Sequence, residues 1–126
     1  MVFRPYQEVI MDYLWRTPGH WVSSVVWERA NDVLWKTGSS ISRASVINFL
    51  NRMVDEGVLI YREETGKGGA RRLYAPVHSK SEFKKWLANH AMTRLLEEFP
   101  AETAVELLGI YVATIDEVAF KQALEN

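Results

Sequence analysis

A mainly α-helical chain with one small β-hairpin, an α+β arrangement, is the fold class this 126-residue sequence predicts. Three features predict it. Apolar residues recur at helical spacing in three successive segments before Gly57. Two β-branched or aromatic runs then bracket a glycine-rich connector, and helical spacing returns from Ser79 onward with a break at Pro100.

Pro5 suits a first helical residue, because its missing N–H has no intrahelical partner there, and Tyr6, Ile10, Tyr13 and Leu14 follow at helical spacing. Thr17-Pro18-Gly19 ends this helix. After a short extended piece, His20-Trp21-Val22, either Ser23 or Ser24 is expected to cap a second helix through Val25, Val26, Ala30, Val33 and Leu34, ending near Thr37-Gly38. Ser42 opens a third helix, residues 42–56, whose buried stripe is expected at Val46, Phe49, Leu50 and Met53; Gly57 supplies the left-handed residue that stops it. Its opposite side presents Ala44, Asn48, Asn51 and Arg52, flanked by Arg43 and Ser45, with no carboxylate before Asp55.

The runs Val58–Arg62 and Leu73–Val77 read as a hairpin with a long tip, and Pro76 suits the end of a strand. Ser79 with Glu82 forms a capping-box pattern ahead of a helix carrying Phe83, Trp86, Leu87, Leu95, Leu96 and Phe99. Pro100 breaks it, and the remainder reads as one or two further helices. Three helices, a hairpin and more helices describe a winged helix-turn-helix over residues 1–80. A C-terminal helical dimerisation region is expected over residues 81–126, whose many large apolar side chains would pack on a second copy or on the winged domain.

Composition narrows the function classes. With no cysteine there is no disulfide, thiol nucleophile or thiolate metal site. The most apolar segment, VELLGIYVATI, falls well short of the roughly 20 residues a membrane span needs, so no membrane partner and a cytoplasmic location are expected. His20, His78 and His90 form no ligand spacing such as H-E-x-x-H, so no metal is predicted. The adjacent carboxylates Glu63-Glu64 and Glu97-Glu98 read as solvated pairs, and no nucleophile elbow occurs; no enzyme activity and no cofactor are expected. Five tryptophans read as core or dimer-seam residues before they read as a ligand pocket.

The net charge of −1 conceals a division. Residues 1–86 hold thirteen Lys/Arg against nine Asp/Glu, whereas residues 87–126 hold two against seven. A basic front with an acidic tail suits a polyanion partner, and double-stranded DNA is the polyanion a helix-turn-helix takes. The tip YREETGKGGARRLYAP is no phosphate-binding nucleotide loop: Gly66-Lys67 is followed by Gly68, and Tyr61 stands where the first glycine belongs. It reads as a wing, residues 62–72, whose Arg62, Lys67, Arg71 and Arg72 clamp phosphates. From the third helix, Ser42, Arg43, Ala44, Ser45, Asn48, Asn51 and Arg52 are then expected at the major groove.

The sequence also resembles the penicillinase repressor family of bacterial winged-helix regulators over about residues 5–80. VIMDYLW is similar to that family's first helix, SVINFLNRMVDEGVL to its recognition helix and first wing strand, and YAPV to its exit from the wing. The family also includes methicillin-resistance and copper-responsive repressors, and the resemblance implies a dimeric repressor; a two-fold dimer would favour a palindromic operator. It departs at Ala44 and Asn48, where the family usually has threonine, and at Ala70, which follows Gly69 and displaces Arg71 and Arg72. The last 40 residues do not align, so the family's dimer interface carries over as an expectation and its inactivating proteolytic cut does not. The alternative from another class is a winged-helix protein-interaction module of a larger assembly, which an exposed apolar patch on the third helix or hairpin would favour.

Overall fold

The computed structural model describes residues 3–125; Met1, Val2 and Asn126, at the outer limits of the two expected regions, lie outside it. Along the described chain run α1 (Pro5–Arg16), β1 (Trp21–Val22), α2 (Ser23–Leu34), a 3-10 turn (Trp35–Thr37), α3 (Arg43–Asp55), β2 (Leu59–Gly66), β3 (Gly69–Pro76), α4 (Lys80–Glu98) and α5 (Pro100–Glu125). The chain divides into two units, Met1–Lys84 and Lys85–Asn126. The first is a winged helix, the predicted fold, with a sheet larger by one strand.

That extra strand is the short extended piece at Trp21. It pairs antiparallel with β3, Trp21 opposite Tyr74 and Val22 opposite Leu73, and gives the sheet order β1-β3-β2. Two residues are too few for an alternating pattern, which is why a two-stranded hairpin alone was predictable. Val22, in extended conformation, is the N-cap of α2. Neither Ser23 nor Ser24 therefore caps that helix; both lie inside it.

The first unit's core closes where the apolar stripes converge: Ile10, Met11 and Leu14 of α1, Val26 and Ala30 of α2, and Val46, Phe49, Leu50 and Met53 of α3 are all buried. The predicted α3 stripe is the buried one. On α1 the buried face is instead Gln7, Ile10, Met11 and Leu14, and Tyr6 and Tyr13 are half-buried. Gln7 is tolerated because the Arg4 backbone N–H donates to its Oε1 at 2.9 Å, and its own amide donates to the Tyr6 hydroxyl at 3.2 Å. Asn31 on α2 staples the turn into α3: Ile41 N–H donates to its Oδ1 at 2.9 Å, and its Nδ2 donates to the Ile41 carbonyl at 3.2 Å. Trp27 Nε1 donates to the same carbonyl at 2.9 Å.

The hairpin corrects the expected long tip. β2 and β3 stay paired to the end, Gly66 opposite Gly69, so the turn is Lys67-Gly68 alone. Gly68 has φ +96° and Lys67 does not have a positive φ, the sign pattern of a type II turn, whose third residue favours glycine. Ser79 Oγ accepts from Glu82 N–H at 3.2 Å at the start of α4, as its spacing predicts. Phe83 packs against Trp15 with ring centroids 5.2 Å apart.

In the second unit the tail is a single 26-residue helix, α5. Pro100 lacks the N–H that would continue α4 and separates the two helices. Thr103 Oγ1 donates to the Leu95 carbonyl at 3.1 Å across that break. Leu108, Tyr111, Val112, Ile115 and Val118 recur at three- and four-residue intervals along α5 and are exposed. No helix among the described residues is long and apolar enough to cross a membrane.

Candidate nucleic-acid interface

The site residues fall on α3 and the hairpin, and their positions on the α3 wheel separate them into groups. With the buried stripe inward, Ala44, Asn48 and Arg52 form the exposed line opposite it. Arg43, Ile47 and Asn51 lie on the flank toward β3. Ser42 is the N-cap: its Oγ accepts from Ser45 N–H at 3.1 Å and donates to Ser45 Oγ at 2.8 Å, so both hydroxyls already serve the helix start. The Arg52 guanidinium sits 5.7 Å from the Phe49 ring centroid, leaning along the helix surface.

Asn51 does not stand in the outward line that the sequence reading gave it. Its Oδ1 accepts from Arg72 Nη1 at 3.1 Å and from the Tyr74 hydroxyl at 2.5 Å. Tyr74 is 3% exposed, and burial raises its pKa above the ordinary tyrosine range despite the lowering influence of Arg72 beside it. Arg72 also lies over the Tyr61 ring, 4.0 Å from its centroid. The two Asn51 contacts thus hold a wing residue and the sheet to the side of α3.

The four wing cations differ in their surroundings. Pairing to the tip sets Glu64 opposite Arg71 and Glu63 opposite Arg72. Arg71 Nη2 meets Glu64 Oε1 at 3.1 Å, so part of the Glu63-Glu64 pair is matched across strands and is not simply solvated. Among the described residues Arg62 and Lys67 have no ion pair, and both are exposed. The cations that look equivalent in sequence are therefore two free, one neutralised and one immobilised.

Arg43, Arg71 and Arg72 line one cleft of about 270 Å³, together with Ser23 and Ser24 at the start of α2, and with Val22, Ile47 and Tyr74. The first N–H groups of a helix have no intrahelical acceptor, and the helix dipole adds positive potential there. A cleft that combines a helix start with arginine residues in its lining suits an anion. Sequence reasoning missed Ser23, Ser24, Ile47 and Tyr74 because their placement depends on β1 pairing with β3. No group of three or more His, Asp or Glu side chains that could hold a metal ion occurs among the described residues.

The model of the penicillinase repressor family matches residues 5–119, reaching well past the residue-80 limit of the sequence resemblance. Bacillus subtilis PadR, solved in complex with operator DNA, is similar in structure with a TM-score of 0.51 and 20% identity. The overlap covers 67% of this chain and 47% of the PadR chain. At that identity the likeness is one of fold. The Thermoplasma acidophilum protein TA0346 overlays with a TM-score of 0.49 and 19% identity, over 83% of this chain and 90% of its own. No curated protein sequence matches the chain.

Proposed function

The chain belongs to the penicillinase repressor family, a family of transcriptional regulators, and on that premise we propose that it is a dimeric, sequence-specific DNA-binding repressor. In this reading α3 enters the major groove and the hairpin lies along the adjacent backbone. The observation that carries it is the exposed α3 line Ala44, Asn48 and Arg52, free of carboxylates until Asp55, beside a cleft at the start of α2 lined by Arg43 and Arg71.

The roles divide by chemistry. Asn48 can bond an adenine edge through its amide, Ala44 can meet a thymine methyl, and Arg52 and Arg43 supply guanidinium groups to guanine or phosphate. Arg71 and the free cations Arg62 and Lys67 take backbone phosphates and contribute affinity regardless of sequence. Residues 1–80 then form the DNA-binding domain and residues 81–126 the dimerisation region, in the cytoplasm. The exposed apolar side chains of α5 support pairing with a second copy, and a two-fold dimer favours a palindromic operator. On α3 the outward line offers only Ala44 as an apolar group, which favours DNA over a protein surface.

Selection of bound fragments from random duplex DNA, followed by competition against random sequence, tests the reading. A recovered palindrome supports it, and the absence of any preferred sequence defeats it. On the recovered site Asn48→Ala is expected to narrow the gap between specific and random DNA by about 1–3 kcal/mol, the worth of one bidentate base contact. Equal weakening on both would remove Asn48 from the readers.

A further inference from the structure

We infer that Asn51, Arg72 and Tyr74 form a latch that fixes the hairpin's angle against α3, which makes Asn51 and Arg72 positioning residues and not DNA contacts. One oxygen carries the junction. Asn51 Oδ1 accepts from the guanidinium at 3.1 Å and from the phenol at 2.5 Å, and these are the side-chain hydrogen bonds that join β3 to α3 among the described residues. Tyr74 and Arg72 are two residues apart on β3 and so share one face of the sheet, with Tyr61 opposite Tyr74 on the same face. The Arg72 guanidinium, 4.0 Å from the Tyr61 centroid, is thereby held by β2 and α3 together.

The need for such a device follows from burial. Leu59, Leu73, Tyr74 and Ala75 anchor the base of the hairpin in the core, but every residue from Ile60 to Arg71 is exposed. The chain enters β2 through Gly57 at φ +82°, a glycine with wide backbone freedom. Base packing alone leaves the distal half free to swing. The latch ties it at Arg72, midway along the hairpin, and a charge-assisted bond with a stacked cation is among the stronger polar contacts available at a surface. Releasing it would also strand a buried phenol donor.

The inference bears on how the proposed DNA-binding surface is held in shape, yet it is measurable without DNA. Because the sequence contains no cysteine, Lys67→Cys at the tip and Asp55→Cys at the exposed end of α3 accept spin labels at those positions alone. With labelled protein diluted into an excess of unlabelled chains, so that a dimer carries one labelled protomer, pulsed electron resonance should give one narrow distance distribution. Asn51→Ala is expected to lose the narrow peak while helix content by circular dichroism is retained, and Asn51→Asp, which keeps acceptor oxygens for both donors, is expected to restore it. Arg72→Ala should broaden the distribution too, and the double variant should broaden it no further than the singles, as members of one unit do. A narrow peak in Asn51→Ala, or broadening that Asn51→Asp fails to repair, overturns the latch. Should Asn51→Ala not fold, Arg72→Ala decides by the same criterion. In unlabelled protein, Asn51→Ala is expected to weaken specific and random DNA alike; loss confined to the specific site would return Asn51 to the base readers. If the wild type binds no DNA, the repressor reading fails while the distance measurement still decides the latch.

Discussion

Glu64 and Arg71 make the sharpest test of whether the hairpin meets a polyanion, because removing either one changes the same ion pair with opposite electrostatic sign. Their 3.1 Å contact lies between side chains 50% and 61% exposed. Coulomb's law in bulk water gives about 1.3 kcal/mol at that separation, and the net worth of an exposed pair is below ~1 kcal/mol. Neither Glu64→Gln nor Arg71→Ala should therefore move the melting temperature much. Their effects on DNA should be larger and opposite. Each neutralised phosphate contributes about 0.9 to the slope of log K against log salt. Over a fourfold change, from about 50 to about 200 mM, one contact is thus worth four raised to the power 0.9, or about 3.5-fold. Glu64→Gln frees the Arg71 guanidinium and should steepen the salt dependence by up to that factor, with tighter binding at low salt. Arg71→Ala should flatten it. Fluorescence anisotropy with a random-sequence duplex across the salt range measures both. If the two variants shift the slope in the same direction, or neither shifts it, the hairpin does not rest on the phosphate backbone.

Further expectations concern the core, the tail and alkaline pH. Leu50, fully buried on α3, should cost about 2–5 kcal/mol when cut to alanine, seen as a lowered denaturation midpoint with unchanged slope. Leu108→Glu combined with Ile115→Glu on α5 should convert a dimer to monomer in sedimentation equilibrium, while the melting of the first unit is retained; a persistent dimer would relocate the interface. Tyr74 has a raised folded-state pKa, so its contribution to stability is complete below the unfolded tyrosine value near 10 and is lost as pH rises through the higher folded one. Denaturation series at increasing alkaline pH should show that loss, and Tyr74→Phe should make the curve shallower.

Much of the fold is written in local patterns. The α3 stripe, its Ser42 cap and its Gly57 stop are short-range features, and each occurs where spacing places it. What spacing could not supply is partnership across the chain. β1 exists because Trp21 and Val22 find β3 some fifty residues later, and a two-residue strand has no periodicity to announce it. The hairpin register was in fact legible. In EETGKGGARR the two acidic residues mirror the two basic ones about Lys67-Gly68, and opposite charges on facing strands favour that register. Reading the glycines as a loose tip hid it. Asn51 illustrates the remaining limit. It and Asn48 are indistinguishable by type and differ by three positions, but one faces solvent and the other faces Tyr74, and only the sheet's placement decides which.

The sheet order β1-β3-β2 leaves backbone amides and carbonyls unpaired along the outer side of β2, and along β3 where the two-residue β1 does not reach. Such rims invite extension by a stray strand from another molecule and so seed fibrils. Here the outer rims carry Arg62, Glu63 and Glu64 on one side and Arg71 and Arg72 on the other, charges that make stacking of like copies in register repulsive. On the proposed reading Arg62 and Arg71 serve twice, as phosphate contacts and as charges that oppose edge-to-edge pairing of copies.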